Sequence, residues 1–375
     1  MSNQRHILFV GGGTAGHIAP LFPVMEACLD YAKKHNLSLT FSYIGMAEDV
    51  ISPLIQDSRL PFTPYVISAG KLNRFITLRH IPEGIKMLRG MWQARRLLKK
   101  LKPTAVFAKG GFVSVPVVMA ARRMKIPVYC HETDVVPGLA NRIIARSATK
   151  IFTAFPPEVY KNLPKDRLLA TGQPVRQAFY AKPGDEPIQV GHRLISGDLP
   201  IVTVIGGSQG ARRVNELVSR AWPELLAYCD LVHITGKNEF IQYVRKADEL
   251  PASLNTRLHL APFIAEELPE IILRSSVVIS RAGGTIFELA AARSAAVLIP
   301  LSSASQNHQW ENAKVLQGKW AAVVLDEKAT TTKTLVHEVL HILHTPKERG
   351  ALSKAIGQFD HPEAAATMAA TILAV

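Results

Sequence analysis

The sequence predicts an α/β protein of two doubly wound parallel-sheet domains in tandem, and three observations carry that prediction. Short apolar runs alternate with helical stretches along the chain, the pattern of βαβ units. Twice, an apolar strand runs into a glycine turn that opens a helix: HILFVGGGTAGHI from His6 and PIVTVIGGSQGARR from Pro200, with Gly11 and Gly206 195 residues apart. A length of 375 residues also exceeds what one hydrophobic core usually fills, and 47% hydrophobic with 20% charged residues is a globular balance.

Taken in order, the first-half strands are expected at His6–Val10, Leu39–Ile44, Ala105–Ala108, Val128–Cys130 and Lys150–Thr153, with helices between them. A polar stretch, Lys182–Asp198, separates the halves. The alternation resumes with Pro200–Ile205, Leu231–Thr235, Arg257–Leu260, Val277–Ser280 and Ala296–Pro300. The expected domains are 1–175 and 176–360; by analogy of fold alone, 361–375 is expected as a helix returning to the first. A repeat interval this long is no solenoid. It reads as two Rossmann-like domains facing each other, with a ligand in the cleft at the carboxyl ends of their strands.

Composition excludes several classes. No secretory leader is expected, because Ile7–Val10 is too short an apolar core. No window approaches the ~20 apolar residues of a membrane span. Cys28, Cys130 and Cys229 are too few for a disulfide framework, which suits a reducing cytoplasm, and no His or carboxylate spacing suggests a metal. The net charge of +14 is lopsided: residues 71–125 hold 14 Lys and Arg against Glu83 alone. Such a block implies an anionic partner. Within it, PEGIKMLRGMWQARRLLKKL from Pro82 sets Ile85, Leu88, Trp92 and Leu98 among basic residues, an amphipathic helix suited to an anionic membrane surface. No nucleic-acid-binding motif accompanies the charge.

The motifs carry the chemistry. GGGTAGH fits G-x-G-x-x-G, but a nicotinamide site wants an acidic residue at the end of the second strand, where Ile44-Gly45-Met46 stand and Glu48 and Asp49 arrive late. His17, expected at the first turn of the following helix, is placed to act as a neutral general base. GGSQGARR is a second anion-binding turn, with the Ser208 hydroxyl suited to a diphosphate. SRAGGTIFELAA, Ser280–Ala291, puts Glu288 where it can accept hydrogen bonds from a ribose diol. Asn307, His308 and Gln309 follow another strand end and offer donors and acceptors to sugar hydroxyls. His131, with Glu132, Thr133 and Asp134 behind it, ends a first-half strand.

GGGTAGH, AKGGFVSVP, HETD, TGQPVR, GGSQGAR, SRAGGTIFE and NHQWENA follow one another in an order that resembles the MurG family of peptidoglycan glycosyltransferases. The resemblance implies a GT-B fold. It implies inverting transfer of N-acetylglucosamine (GlcNAc) from UDP-GlcNAc to the MurNAc C4 hydroxyl of undecaprenyl-pyrophosphoryl-MurNAc-pentapeptide, turning lipid I into lipid II in cell-wall synthesis. No metal or cofactor is implied. The expected setting is peripheral, on the cytoplasmic face of the membrane, with cell-wall synthesis proteins as further partners. By the same matching, His17 and Asp134 are the candidate bases. Thr14, Ala15, Gly16, Asp134, Arg176, Ser208, Ile264, Glu288, His308 and Gln309 would contact UDP-GlcNAc. Three features depart from the pattern: Ala15 adds a methyl to the glycine loop, Asp134 stands where the family has an amide, and SRAGGTIFE is one residue shorter than the common form, which bears on Gly284 and Thr285. The rival readings are a UDP-sugar 2-epimerase, a glycolipid glycosyltransferase with another acceptor, an NAD-dependent oxidoreductase, or a UDP-sugar sensor without catalysis.

Overall fold

The computed structural model describes residues 4–70, 81–195, 198–206, 210–302 and 307–374. The chain divides into two compact units, Met1–Val175 with His361–Val375, and Arg176–Asp360.

Unit 1 is built on seven strands: β1 Gln4–Gly11, β2 Ser38–Gly45, β3 Phe62–Val66, β4 Ala105–Gly110, β5 Val128–Glu132, β6 Lys150–Thr153 and β7 Leu168–Ala170. They lie in the order β3-β2-β1-β4-β5-β6-β7 and every neighbouring pair is parallel. β1 is covered on both faces, so Ile7, Leu8, Phe9 and Val10 are all buried, the continuous apolar run that a central parallel strand requires. Phe9 meets Phe41 edge to face at 5.3 Å. The helix Leu21–Lys34 buries Leu21, Val24, Met25 and Cys28, one face at a spacing of three and four. The last helix, Ala364–Leu373, packs on it and adds Met368, Ile372 and Leu373 to the same core.

The basic helix Ile81–Leu101 packs beside the helix Ser114–Arg123. Gly90, Ala94 and Leu98 form its inward face, and the Ser68 carbonyl sits where a Gly90 side chain would be. Ile85, Leu88 and Trp92 are 61%, 66% and 63% exposed. Leu98 therefore does not belong with the other three, as the sequence pattern grouped them. It is a core residue on the opposite face.

Unit 2 opens with an antiparallel hairpin, β8 Ile188–Val190 and β9 Arg193–Ile195, inside the stretch expected to be a polar separator. Its sheet has six parallel strands: β10 Ile201–Ile205, β11 Asp230–Ile234, β12 Leu258–Ala261, β13 Ser275–Ser280, β14 Ala296–Leu298 and β15 Val323–Val324, in the order β12-β11-β10-β13-β14-β15. The helix Arg212–Leu225 lays Val214, Leu217, Val218, Ala221 and Trp222 onto it. Both sheets are thus doubly wound. The strand order reverses between β1 and β4 in unit 1, and between β10 and β13 in unit 2. At such switch points the connections leave in opposite directions, and the carboxyl ends of the strands open a ligand-binding crevice.

Candidate functional site

At the end of β1 the chain turns through Gly11, Gly12 and Gly13. A Cβ on Gly12 would run into the Asp49 carboxylate. That carboxylate accepts the Gly13 N–H at 2.7 Å and the Met46 N–H at 2.9 Å. An amide that would face the pyrophosphate in a dinucleotide site is therefore committed to a side chain of the chain itself. The Tyr43 hydroxyl donates to the Gly11 carbonyl at 2.7 Å and fixes the turn from beneath. The turn after β4 fits against it, with the Gly12 carbonyl where a Gly111 side chain would project.

Thr14, Ala15, Gly16 and His17 come next. They form a single helical turn, Ala15–Ile18, and the long helix starts only at Leu21, behind Pro20. His17 is therefore not on the first turn of that long helix, and a dipole argument rests on one turn alone. Its setting comes instead from Thr14, whose Oγ1 lies 3.0 Å from His17 Nδ1. With Nδ1–H donating to the threonine oxygen, Nε2 carries the lone pair that a base uses. Thr14 and Gly16 are exposed; Ala15 and His17 are half-buried.

Asp134 follows β5, the second neighbour of β1, and is half-buried. Behind it lies a polar cluster drawn largely from the AKGGFVSVP, HETD and TGQPVR motifs; of its members, the sequence pattern gives a role to Asp134 alone. Lys109 on β4 and Glu132 on β5 are buried. Lys109 Nζ donates to the Thr133 hydroxyl, which donates to Gln173 Oε1 at 3.0 Å. Glu132 Oε1 accepts the Asp134 N–H at 2.9 Å, and its Oε2 accepts the Asn141 amide at 2.9 Å. The buried His131 donates through Nε2 to the Gly172 carbonyl at 3.1 Å. Burial, then the nearby Lys109, holds His131 well below the usual histidine range, so the ring stays neutral.

In unit 2, the Arg176 guanidinium donates to the Ala265 carbonyl at 2.9 Å and lies over the Phe179 ring. It thereby sits beside Ile264, which is buried. Glu288 is on the helix Thr285–Ala291, half-buried. Burial pushes its carboxyl up to about 7, against the opposing pull of Arg176. Arg176, Ile264 and Glu288 therefore share one locality, though they are far apart in sequence.

His308 and Gln309 open the helix His308–Gln317, and Gln309 Oε1 accepts the Leu301 N–H at 2.9 Å. Asn312 ties this helix to the turn after β13 through the Ala282 carbonyl at 2.9 Å. Nearby, the buried Arg281 and Glu327 form an ion pair, with Ser302 donating twice to Glu327. Burial would raise the Glu327 carboxyl, but the Ser302 and Arg281 bonds outweigh it and hold it below the usual range. Ser208 lies outside the described residues.

Among the described residues, no group of three or more His, Cys, Asp or Glu side chains is arranged to hold a metal. Cys28, Cys130 and Cys229 are free and buried. No helix among the described residues is long and apolar enough to cross a membrane.

The glycosyltransferase family 28 N-terminal domain matches residues 7–153, and its C-terminal domain matches residues 201–368. The UDP-N-acetylglucosamine–N-acetylmuramyl-(pentapeptide) pyrophosphoryl-undecaprenol N-acetylglucosamine transferase 2 of Bacillus anthracis is 36% identical over 369 residues, 97% of this chain and 98% of the relative. The transferase of the same description from Lachnospira eligens is 39% identical over 340 residues, 90% of each chain. Among solved structures, MurG of Acinetobacter baumannii superposes with a TM-score of 0.71 at 24% identity, covering 99% of this chain and 100% of that one. A putative UDP-N-acetylglucosamine 2-epimerase of Listeria monocytogenes shares the fold at 0.70, with 14% identity over 98% and 96%. Matched in both domains, and over nearly its full length by these transferases, the chain belongs to glycosyltransferase family 28, in its MurG group of GT-B N-acetylglucosaminyltransferases.

Proposed function

We propose that the chain transfers GlcNAc from UDP-GlcNAc to the MurNAc C4 hydroxyl of undecaprenyl-pyrophosphoryl-MurNAc-pentapeptide, with inversion, at the cytoplasmic face of the membrane. The observation that carries this is the 36% identity across 97% of the chain to a transferase of that description. The geometry supports the roles of individual residues. Arg176, Ile264 and Glu288, brought together in unit 2, suit a nucleoside, with Glu288 taking the ribose diol. For Ser208, outside the described residues, the GGSQGAR motif alone supports a role at the diphosphate. Gln309 has committed its amide oxygen to Leu301, so it reads a sugar hydroxyl as a donor, beside His308. In unit 1, Thr14, Ala15 and Gly16 shape the turn that faces sugar and acceptor. His17, oriented by Thr14, takes the proton from the attacking hydroxyl, and Asp134 is the second candidate for that duty. Charge leaving with UDP is stabilised by backbone amides and by Arg176.

The exposed Ile85, Leu88 and Trp92, set among Lys86, Arg89, Arg95, Arg96, Lys99 and Lys100, suit an anionic membrane surface where the lipid acceptor lies. Proteins of cell-wall synthesis are the expected neighbours there.

Product analysis with UDP-GlcNAc and the lipid acceptor tests the activity directly. A β-linked disaccharide lipid supports it, and UDP-ManNAc in its place would mark an epimerase. His17→Ala should lower turnover by about 10²- to 10⁴-fold while UDP-GlcNAc affinity stays unchanged. Unaltered turnover would remove His17 from the role.

A further inference from the structure

The cluster at the ends of β4 and β5 has so far been given no part in the transfer. Lys109 is 1% exposed, and an ammonium so deeply placed is costly unless opposite charge and hydrogen bonds compensate it. Among the described residues, six titratable groups make up this locality: Lys109 on β4; Cys130, His131 and Glu132 on β5; Asp134 just beyond; and Tyr160 after β6. Burial keeps the Cys130 thiol and the Tyr160 phenol protonated and His131 neutral. Burial also pulls the Lys109 ammonium down and pushes the Glu132 carboxyl up, and the two oppose that tendency in each other, with Asp134 adding its negative charge to the support of Lys109.

The hydrogen bonds run the same way. Lys109 holds the side chain of Thr133, and Glu132 holds the backbone N–H of Asp134, with Asn141 and Gln173 bracing the two ends. The turn 132–134 is therefore fixed at each of its residues by this one cluster.

We propose that Lys109 is a positioning residue for the transfer: its buried ammonium, anchored on Thr133 and countered by the neighbouring Glu132, sets the 132–134 turn and so holds Asp134 in working position. This rests on the transferase reading. Lys109 touches no substrate; it acts through Asp134.

The test is the pH profile of kcat/KM for GlcNAc transfer to the lipid acceptor, in the full-length protein, for wild type, Lys109→Met, Glu132→Gln and the Lys109→Met/Glu132→Gln double variant. Without the ammonium, the Glu132 carboxyl that braces the Asp134 N–H binds its proton at higher pH. Lys109→Met should therefore lose roughly 10- to 100-fold in kcat, and the acid limb of its profile should rise by about one unit. Affinity for UDP alone, whose candidate contacts Arg176, Ile264 and Glu288 lie in unit 2, should stay within about twofold. The double variant removes one charge of each sign and should recover most of the kcat and the wild-type acid limb.

A Lys109→Met enzyme with the wild-type profile would overturn the proposal, as would a double variant that only compounds the losses of the two single changes. If Lys109→Met fails to fold, the double variant decides: folded and active supports the proposal, unfolded overturns it. Wild-type protein that transfers no GlcNAc overturns the transferase reading and this proposal together. An active wild type with indifferent variants overturns this proposal alone.

Discussion

Burial places the Glu288 carboxyl at about 7, above the ordinary value of 4.5, and the sign of the consequence follows. Folding opposes ionisation of this group, so native stability is lost as pH rises from about 4.5 through about 7. Glu288→Gln should remove that slope, leaving a variant that melts higher than wild type at pH 8 and near it at pH 4.5. A ribose diol donates to a carboxylate, so wild-type affinity for UDP-GlcNAc should strengthen as pH passes about 7. The variant should bind with a flat pH dependence and roughly tenfold more weakly, as titration calorimetry would show. Glu288 could be found in the sequence because it follows a glycine turn and opens a helix. Lys109, Glu132, Arg281 and Glu327 could not be assigned this way. A buried charge reads like a surface one, and its partner can be distant, as Glu327 is 46 positions from Arg281.

The helix Ile81–Leu101 separates two jobs that its sequence mixes. Leu98→Ala should cost about 2–5 kcal/mol by opening a cavity in unit 1, seen as a lower denaturation midpoint. Ile85, Leu88 and Trp92 face solvent, so changing all three to Ser should leave stability nearly unaltered. The same triple variant should lose flotation with anionic vesicles, and flotation equal to wild type would exclude this face from membrane binding. Periodicity alone could not divide Leu98 from the others, because apolar residues here occupy both the buried stripe and the exposed one. Strands followed a similar rule. The central ones, covered on both faces, announce themselves as unbroken apolar runs. Those without a clear signal are at the edges: β3, with Pro64 inside it, the three-residue β7 and the two-residue β15. Proline is tolerated at an edge, where a ladder amide is not required. The β8–β9 hairpin escaped because both strands are short and half of their residues face solvent.

At the scale of the whole molecule, unit 1 is completed by the final helix. Met368 is fully buried against the helix Leu21–Lys34 and its neighbours. Met368→Ala should destabilise unit 1 by about 2–5 kcal/mol and leave unit 2 close to wild type. Hydrogen exchange resolved by residue would separate the two, since a single melting temperature is poorly defined for a two-unit chain. The alternation of strands and helices in the sequence was enough to count two domains. The path that closes the first of them runs through its last 15 residues, and it has a consequence for synthesis. A ribosome makes unit 1 first and unit 2 second, and domains generally fold as they emerge. Unit 2 is one unbroken segment and can close by itself. Unit 1 must wait through the translation of all of unit 2 for the helix that packs on Leu21–Lys34, so of the two units the one begun earlier is finished later.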